Sequence, residues 1–441
     1  MQEVNKSPAP YEYSSVNKEL AQAVEQNRDR LIEITQQLVR RPSENKPPLG
    51  AELACQEWIA EQLRTAGWEP DVYDVDAVAG LAEHPLFFAG RRYAGRPNIG
   101  ARRKGRGSGR SLLLSGHIDT VPRGTQPWTR DPFGGEIEGN RLYGRGSNDM
   151  KAGVATNLFV VEMLAKLGIG LAGDLLFETV ADEEFGGCNG TLAGRLRGFN
   201  ADAVVLSEPT SLRICPAQRG GRIMHIEFEA ASGGVLERGM FPRGAIPQLG
   251  RFLAQVPRFA EQRRKTAPQH EMFRNSLDPV PVSVTKVVTS PWGTGEPITI
   301  PETAQVEFYW QAMPGETKEA IDREFFTWLN DLVKSEPEVF GSAPRATSPI
   351  RWLPGSSIER NHPLIEKFAE CAKGVLGGEP EVCGIEGPCD LFVFQQAFGI
   401  PGILWGANGG NTHAADEYVE IDTIVAAATV LLQFVVEWCG V

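Results

Sequence analysis

The sequence lacks any pattern among its cysteines. Seven cysteines are scattered over 441 residues, at positions 55, 188, 215, 371, 383, 389 and 439. None belongs to a Cys-x-x-Cys pair, which excludes the common thiolate zinc motifs. Their odd number is also atypical of a disulfide framework. We therefore expect reduced thiols and a cytoplasmic protein.

An excess of positive charge is also absent. Lys and Arg total 44 against 56 Asp and Glu, and the formal net charge is -12. Proteins that bind nucleic acid select basic faces, so this balance argues against such a partner. No apolar run approaches the length of a membrane span. The first 15 residues lack the basic-then-apolar order of a signal peptide, so we expect a frayed polar arm there and no membrane association.

The sequence is long, and it contains short apolar runs that are each followed by a cluster of polar residues. A chain of 441 residues exceeds what one hydrophobic core usually supports, so we expect two domains. The four runs are Ser111–Leu114, Leu175–Val180, Ala203–Leu206 and Gly402–Trp405. With a helical pattern at 151–168, they predict an α/β fold in which a mainly parallel sheet has helices on both faces. Ligands of such sheets gather at the carboxyl ends of the strands, where these polar clusters lie.

The N-terminal and middle segments follow other patterns. Residues 17–40 have apolar spacing that predicts one helix. Residues 223–230 alternate, with Met224, Ile226 and Phe228 on one face and polar side chains on the other, as in a half-buried antiparallel strand. We therefore predict an inserted α+β domain at 218–354. It would interrupt a domain formed by residues 1–217 and 355–441.

Glycine and arginine dominate the segment 81–110. Positions 89–110 read AGRRYAGRPNIGARRKGRGSGR. A charge run of this kind is typical of a solvated loop or a hairpin tip. Binding of a phosphate group is the alternative interpretation.

Only six histidines are present, and one of them begins a motif that suits a metal. His117 and Asp119 form a His-x-Asp pair at the end of an apolar run. A neutral imidazole binds zinc through one nitrogen and needs its other N–H held by a partner. A surface hydrogen bond is the alternative. Asp149 lies in the glycine-rich turn GRGSNDMKAG, where it could bind a metal or cap a helix.

Acidic residues follow two further apolar runs. Glu183 and Glu184 are adjacent in ADEEFGG, and a strand end is a poor place for such charge unless a cation neutralises it. One could coordinate a metal while the other, as general base, takes a proton from the attacking water. A solvated loop is the alternative. Glu208 in SEPT could cap the next segment, and His413 in NTHAADEY could be a loop histidine. Together, oxygen and nitrogen ligands without a thiolate suit zinc, cobalt or manganese.

These blocks together resemble a known family. GHIDTVP, GRGSNDMKAG, DEEFGG, SEPT and THAADEYV are similar to signature blocks of the zinc exopeptidase family of acetylornithine deacetylase, succinyl-diaminopimelate desuccinylase, aminoacylase and carboxypeptidase G. The resemblance covers residues 111–441, in the family's order. It implies two divalent metal ions, with zinc expected first and cobalt or manganese as alternatives. It also implies that residues 1–217 and 355–441 form a catalytic domain, interrupted by a lid domain at 218–354 through which two chains form a homodimer.

The resemblance assigns a role to each site residue. Asp119 would orient His117, and Glu183 would be the general base. The peptide bond between Asp149 and Met150 is expected to be cis. The ligands would be His117 and Glu208 for one metal, Glu184 and His413 for the other, and Asp149 for both.

The sequence departs from the family at three places. The lid histidine that stabilises the oxyanion would fall at Gly233 or Gly234. Two arginines that commonly hold a substrate carboxylate are replaced, one by Gln311 and the other by Phe392. We therefore expect a substrate without a free α-carboxylate.

Other polar residues near these places could contact the substrate instead. Arg219 and Arg222 flank Gly220 and Gly221, which we expect to form a hinge before the inserted domain, and a guanidinium can serve both an oxyanion and a substrate anion. His225 is nearby on the polar face of the first lid strand, although that face could simply be solvated. The full set of candidates for substrate binding is Arg219, Arg222, His225, Gln311 and Asp390.

The resemblance implies a metal-dependent hydrolase that acts on a small linear amide. The first interpretation is removal of an acyl group from an N-acyl amine or an N-acyl amino acid. A dipeptidase or carboxypeptidase is the nearest alternative. A non-catalytic metal-binding relative belongs to a different class, and it would lack the base or a ligand.

Overall fold

The computed structural model describes residues 15–230, 233–234, 244–289 and 299–441. The predicted polar arm lies outside the described residues, except for Ser15. The part of the chain described here forms nine α-helices, numbered in chain order: α1 Ser15–Gln26, α2 Arg28–Val39, α3 Leu53–Thr65, α4 Ala152–Lys166, α5 Asn189–Leu196, α6 Ala245–Thr266, α7 Lys318–Ser335, α8 Pro363–Leu376 and α9 Ile421–Cys439.

The same residues form nineteen β-strands, several of them very short. In chain order they are β1 Asp71–Tyr73, β2 Asn98–Arg103, β3 Leu112–His117, β4 Ile137–Glu138, β5 Arg141–Tyr143, β6 Leu175–Val180, β7 Val204–Leu206, β8 Ile214–Gln218, β9 Gly220–Glu229, β10 Gly233–Gly234, β11 Val282–Val288, β12 Thr299–Ile300, β13 Thr303–Ala312, β14 Arg345–Thr347, β15 Ser356–Ser357, β16 Val382–Ile385, β17 Gly402–Leu404, β18 Gly409–Gly410 and β19 Tyr418–Glu420.

The chain divides into two compact units. The first contains the described residues up to Ala217 together with Ser357–Ile385 and Cys389–Val441, and the second contains Gln218–Ser356 and Glu386–Pro388. Within the first unit, the amide of Ile358 donates to the carbonyl oxygen of Pro216 at 3.3 Å. The point where the chain leaves this unit therefore lies beside the point where it returns. The assignment of the two units to catalysis and to a dimerising lid stays a prediction.

The first unit is built on a nine-stranded sheet of order β1-β2-β6-β3-β7-β17-β8-β15, with β16 also paired to β8. Its centre is parallel, because β3 pairs with β6 and with β7, and β17 pairs with β7, all in parallel register. Strands β1, β2 and β8 join in antiparallel register. The predicted mainly parallel sheet is confirmed, and the carboxyl ends of its central strands share one edge.

Helices cover both faces of this sheet. On one face, Gly116 of β3 lies so close to Val154 of α4 that an added Cβ would be 3.0 Å from a methyl carbon. On the other face, the Ser115 hydroxyl donates to Glu178 at 2.7 Å, and Glu178 also accepts from Arg195 of α5. Successive strand residues point to opposite faces, so α4 and α5 lie on opposite sides, as predicted.

Helix α9 corrects one expectation from the sequence. Its 19 residues are long and apolar enough, by length and composition alone, to cross a membrane. The helix is largely buried and packs against α4 and α8, as the core helix of a globular unit does. The statement that no apolar run approaches a membrane span was therefore wrong, because the run is interrupted by charge only near its ends, at Asp422 and Glu437.

The single helix predicted over residues 17–40 is two helices, α1 and α2. They are separated at Asn27, whose φ of -114° and ψ of 17° are not helical. The Asn27 side-chain amide donates to the carbonyl oxygen of Ala23 at 2.7 Å. Asparagine side chains compete with the backbone for such acceptors, which explains why the helix ends here.

The second unit is an antiparallel sheet of order β11-β13-β9-β14, with α6 and α7 packed on one face. Ile226 and Phe228 of β9 are fully buried in the same core as Phe252 of α6 and Phe325 of α7. The opposite face is polar, and the His225 side chain on it is 51% exposed. The predicted alternation along this strand is confirmed, and the unit has the expected α+β composition.

Candidate metal centre

Three of the predicted site residues follow the carboxyl ends of neighbouring parallel strands. His117 is the last residue of β3, and its partner in register is Val180, the last residue of β6. Glu184 comes four residues after β6, and Glu208 comes two residues after β7. Because these strands are parallel, their carboxyl ends bring the three side chains to the same edge of the sheet.

Asp149 presents one carboxylate oxygen to each of two histidines. Its Oδ1 lies 3.1 Å from Nε2 of His117, and its Oδ2 lies 3.3 Å from Nε2 of His413. Glu184 lies on the second side, with Oε2 2.9 Å from Nε2 of His413. Glu208 lies on the first side, with Oε1 3.8 Å from Nε2 of His117. The Asp149 carboxylate thus separates two clusters, each made of one histidine and one glutamate.

Glu183 lies beside the first cluster. Its Oε2 is 3.9 Å from Nε2 of His117. Burial raises the pKa of its carboxyl well above the usual value, and the charges of Asp390, Glu208 and Glu184 act in the same direction. A raised pKa makes the Glu183 carboxylate a stronger base than an ordinary glutamate.

Asp119 acts at the back of the site in two ways. Its backbone carbonyl oxygen lies 2.9 Å from Nδ1 of His117, whereas its carboxylate oxygen is 3.6 Å from the same nitrogen. The carboxylate accepts from the amides of Glu183, at 3.1 Å, and Glu184, at 3.2 Å. The imidazole is therefore oriented through the backbone of Asp119, while the carboxylate fixes the turn that carries both glutamates.

A buried polar network continues behind Asp119. The Asn45 amide donates to Asp119 at 2.8 Å and to Asp182 at 3.0 Å. Asp182 also accepts from the Tyr93 hydroxyl at 2.7 Å and lies 3.5 Å from the Arg96 guanidinium. Buried carboxylates need such partners, and these contacts hold Asp119 in one position.

Glu417 is a positioning residue that the sequence did not reveal. Its carboxylate is 1% exposed and pairs with the equally buried Arg145. It also accepts from the backbone amides of Gly146 at 3.0 Å, Asn148 at 3.0 Å and Asp149 at 3.1 Å. Glu417 therefore fixes the turn that carries Asp149. The Asp149–Met150 peptide bond in this turn is cis, as expected.

The donor set and its electrostatics fit divalent cations. Ligand atoms of His117, Asp149 and Glu184 all lie within 4.8 Å of one another. Burial raises the pKa of Glu184 to about 7 and that of Glu208 to about 8. Although burial opposes it, hydrogen bonds that the His413 imidazolium donates to the carboxylates of Asp149 and Glu184 raise the pKa of His413 to about 11. Without metal, the cluster must hold protons to limit its own negative charge, and bound cations would replace them.

The candidate residues for substrate binding in the second unit have partners of their own. Arg222 makes two hydrogen bonds to Asp322, at 2.8 and 3.0 Å, which is the geometry of a structural ion pair. The His225 imidazole lies 3.1 Å from the Glu307 carboxylate on the polar face of the sheet. These contacts give both residues a structural role within that unit.

Gln311 and Arg219 are joined to each other. The Arg219 guanidinium donates to Oε1 of Gln311 at 2.8 Å, and its Nε has no hydrogen-bond partner among the described residues. The Gln311 amide donates to the Tyr309 hydroxyl at 2.8 Å and to the carbonyl oxygen of Glu386 at 2.6 Å. Both N–H groups of the Gln311 amide are therefore used.

Asp390 belongs to the first unit, with the metal cluster. It is 4% exposed, and one of its oxygens accepts from the Thr191 hydroxyl at 2.6 Å. Its charge raises the pKa of Glu183 and of Glu208. Phe392, which follows in the sequence, is buried.

Comparisons with known proteins agree with this geometry. The sequence profile of peptidase family M20/M25/M40 matches residues 113–437. The chain is 25% identical to N-formyl-4-amino-5-aminomethyl-2-methylpyrimidine deformylase of Bacillus subtilis, over 96% of this chain and 97% of that protein. It is 27% identical to succinyl-diaminopimelate desuccinylase of Methylocella silvestris, over 90% of this chain and 95% of that protein.

A solved structure shares the fold as well. The structure of a di-peptidase from Saccharomyces cerevisiae superimposes with a TM-score of 0.76 at 16% identity, covering 97% of this chain and 99% of the other. The family match spans most of the chain, and it includes every metal-ligand candidate. The chain belongs to peptidase family M20/M25/M40 and is a metal-dependent hydrolase of linear amide bonds.

Proposed function

We propose that this chain is a two-metal deacylase that removes a small acyl group from an amine lacking an α-carboxylate. The proposal of two metals rests on the Asp149 carboxylate. One of its oxygens lies near His117 and the other lies near His413. His117 and Glu208 would hold one ion, and Glu184 and His413 the other. Zinc is the metal we propose, with cobalt or manganese as alternatives, because the ligands are nitrogen and oxygen atoms only.

The chain's own residues would carry the protons in this reaction. When bound, two cations polarise the amide carbonyl and make an attacking water more acidic. Glu183 takes a proton from that water while the water oxygen bonds to the carbonyl carbon. The same carboxylic acid then gives the proton to the amide nitrogen as the carbon–nitrogen bond breaks, so that a carboxylic acid and an amine leave. The Asp119 carboxylate keeps Glu183 in place by accepting a hydrogen bond from the Glu183 backbone amide.

The nature of the amine follows from residues that would otherwise bind a carboxylate. Gln311 stands where many members of the family have an arginine, and both its N–H groups already have acceptors. Phe392, at the other such place, is buried and has no charge. Neither position 311 nor position 392 therefore supplies a cation of its own for a free α-carboxylate, and the Arg219 guanidinium beside Gln311 already donates to its Oε1.

Similarity to the deformylase supports the same substrate class. The compound in that protein's name is an N-formyl derivative of an aminomethyl-pyrimidine, which has no carboxylate. We propose an N-formyl or similarly small N-acyl amine on a neutral heteroaromatic ring as the substrate of this chain. Desuccinylase and dipeptidase activities are the competing outcomes of the test.

The test compares kcat/KM for matched substrates with metal-loaded protein. Acetylornithine would be compared with its α-amide, and an N-formyl aminomethylpyrimidine with N-formylmethionine and a dipeptide. We expect the compounds without a carboxylate to be better substrates in both sets. Efficient turnover of acetylornithine but not of its α-amide would refute the assignment, because it requires a carboxylate anchor.

We also propose that the protein is cytoplasmic and forms a homodimer through the second unit. None of the seven cysteines forms a disulfide, which fits a reducing compartment. Among the described residues, strand β11 is an edge of the second unit's sheet, and its Val287 and Val288 are 47% and 56% exposed. An edge strand with exposed apolar side chains is a ready surface for pairing with a second chain.

A further inference from the structure

Two of the seven cysteines are close neighbours in the first unit. Sγ of Cys215 lies 4.0 Å from Sγ of Cys383. Cys215 belongs to β8 and Cys383 to β16, and these two strands pair with each other in the sheet. Neighbouring strands lie about 4.7–4.9 Å apart, which is within the Cα separation of about 4.4–6.8 Å that a disulfide spans. Rotation about the Cα–Cβ bonds can therefore bring the two sulfurs together.

Cys383 differs from the other cysteines in its exposure. All seven cysteines lie among the described residues, and Cys383 is half-buried whereas the other six are buried. Its neighbour Cys215 is 0% exposed. A small oxidant that arrives from solvent therefore reaches Cys383 first, and Cys215 is placed to react with the product from inside the unit.

The Arg213 guanidinium gives Cys383 a cationic neighbour. Its Nη1 lies 3.6 Å from Sγ of Cys383, and its Nε donates to the carbonyl oxygen of Thr210 at 3.0 Å. The second contact holds the guanidinium beside the sulfur. A positive charge next to a thiol favours the thiolate, which is the form that attacks oxidants. Exposure and charge therefore mark the same cysteine as the reactive one.

We propose that Cys383 and Cys215 form a thiol redox site that reacts with hydroperoxides. The Cys383 thiolate attacks one peroxide oxygen, so that an S–O bond forms, the O–O bond breaks and hydroxide leaves. The Cys215 sulfur then loses its proton and attacks the resulting sulfenic acid, so that an S–S bond forms and water leaves. The two sulfurs together lose two electrons, and the peroxide gains them. This site is independent of the amide hydrolysis proposed above.

The disulfide would fix strand β16 to the sheet. Among the described strands, β16 pairs with β8 alone, and a covalent bond between them would suppress its local opening. The chain continues from Ile385 into Glu386–Pro388, which belong to the second unit. Oxidation would therefore tie the base of this segment to β8. Exchange with a dithiol would reverse the change, as is typical of disulfides that sense oxidants in a reducing compartment.

The test uses zinc-loaded protein, because zinc does not change its oxidation state and no thiol is among the proposed ligands. Reduced protein is treated with hydrogen peroxide, blocked with an alkylating reagent and digested for mass spectrometry. We expect the number of titratable thiols to fall by two and a peptide cross-link to join Cys215 to Cys383. Dithiothreitol should restore both thiols. Hydrogen exchange of the β16 amides should be at least about tenfold slower in the oxidised protein.

Cys371→Ser is the matched control, because Cys371 is a buried thiol of α8, outside the two strands. This variant should still lose two thiols. Cys215→Ser should instead stop at a sulfenic acid on Cys383, which dimedone traps. Arg213→Gln should slow the cross-linking by at least about threefold, and Arg213→Lys, which keeps the charge, should restore the rate.

Three results would overturn the proposal. The first is that Cys215 and Cys383 survive the peroxide as thiols, and the second is that Cys383 is oxidised without a cross-link in the wild type. The third is cross-linking of Arg213→Gln at the wild-type rate, because the cation would then have no part in the reaction. Unchanged hydrogen exchange of β16 after cross-linking would show that the bond does not fix the strand.

Discussion

The backbone amide of Asp149 donates a hydrogen bond to the carboxylate of Glu417 at 3.1 Å, across 268 positions of the sequence. With Gly146 and Asn148, it forms a set of three amides that point at one buried carboxylate. The orientation of the proposed bridging ligand therefore depends on Glu417. Partners that orient ligands in this way typically contribute 10- to 100-fold to metal affinity.

Glu417→Gln should accordingly lower metal affinity by about 10- to 100-fold, as measured by competition with a chelator. It also leaves Arg145 buried without its anion, so the melting temperature should fall too. The double variant Arg145→Gln, Glu417→Gln separates the two effects. It should recover part of the stability but none of the metal affinity. Recovery of both would show that Glu417 only neutralises Arg145.

The second prediction concerns metal stoichiometry. Wild-type protein reconstituted with zinc or cobalt should hold about two ions per chain by elemental analysis, and His413→Ala should hold about one. His362→Ala serves as the control, since His362 caps α8 by accepting from the Leu364 amide. A wild-type protein that holds no metal after reconstitution would refute the whole ligand assignment.

The third prediction concerns Glu183. Glu183→Gln keeps the size of the side chain but cannot accept a proton, so kcat should fall by about 100- to 10,000-fold. Both metals should remain bound, and KM should change little. Glu359→Gln, at an exposed position of the same unit, should behave as wild type. Normal turnover in Glu183→Gln would remove this residue from the mechanism.

The fourth prediction concerns the pH dependence of stability in metal-free protein. The folded-state pKa values of Glu184 and Glu208 are about 7 and 8, above the ordinary value of 4.5. The folded state therefore holds more protons than the unfolded state, and the free energy of unfolding falls as pH rises from about 4.5 to 8. The raised pKa of His413 acts in the same direction above pH 6.5.

Chelator-treated protein should therefore melt at least about 3 °C lower at pH 8.5 than at pH 6. Bound cations replace the protons, so the metal-loaded protein should show a smaller difference. Scanning calorimetry of both forms at the two pH values measures this. An equal change of melting temperature with pH in the two forms would show that the effect does not arise in the metal cluster.

The fifth prediction concerns the proposed dimer. Val288→Lys places a charge on the edge strand β11, and it should convert a dimer into a monomer in light scattering after gel filtration. Val72→Lys is the matched control, because Val72 is 42% exposed on β1, an edge strand of the first unit. Dissociation by Val72→Lys alone would move the interface to the first unit.

The parallel sheet and the site it carries could be predicted because their signals are local. Each apolar run stops where its strand stops, and the polar residues that follow sit at one edge by topology alone. His117 and Glu184 are therefore neighbours for a reason that can be inferred from two short segments. The roles of the individual ligands came from the resemblance and stay proposals.

Glu417 could not be predicted, because nothing in ADEY distinguishes its carboxylate from that of Asp416 beside it. The difference is made by the fold: Glu417 is buried against three amides of a distant turn, whereas Asp416 accepts from Thr129 at the surface. The contact between Arg219 and Gln311 spans 92 positions and has no local signal either. The break at Asn27 was missed since apolar spacing continues through it, while the side chain takes a backbone acceptor.

The hydrogen bond between Ile358 and Pro216 has a consequence for how this chain could diversify. The two ends of the inserted segment are one hydrogen bond apart. A different domain inserted here would therefore need only N- and C-termini that lie close together. Recombination at this junction would exchange the whole insert without changing the length of any strand that carries a metal ligand. If two chains dimerise through this insert, as proposed above, oligomeric state would then be inherited as a module, separately from the proposed metal ligands.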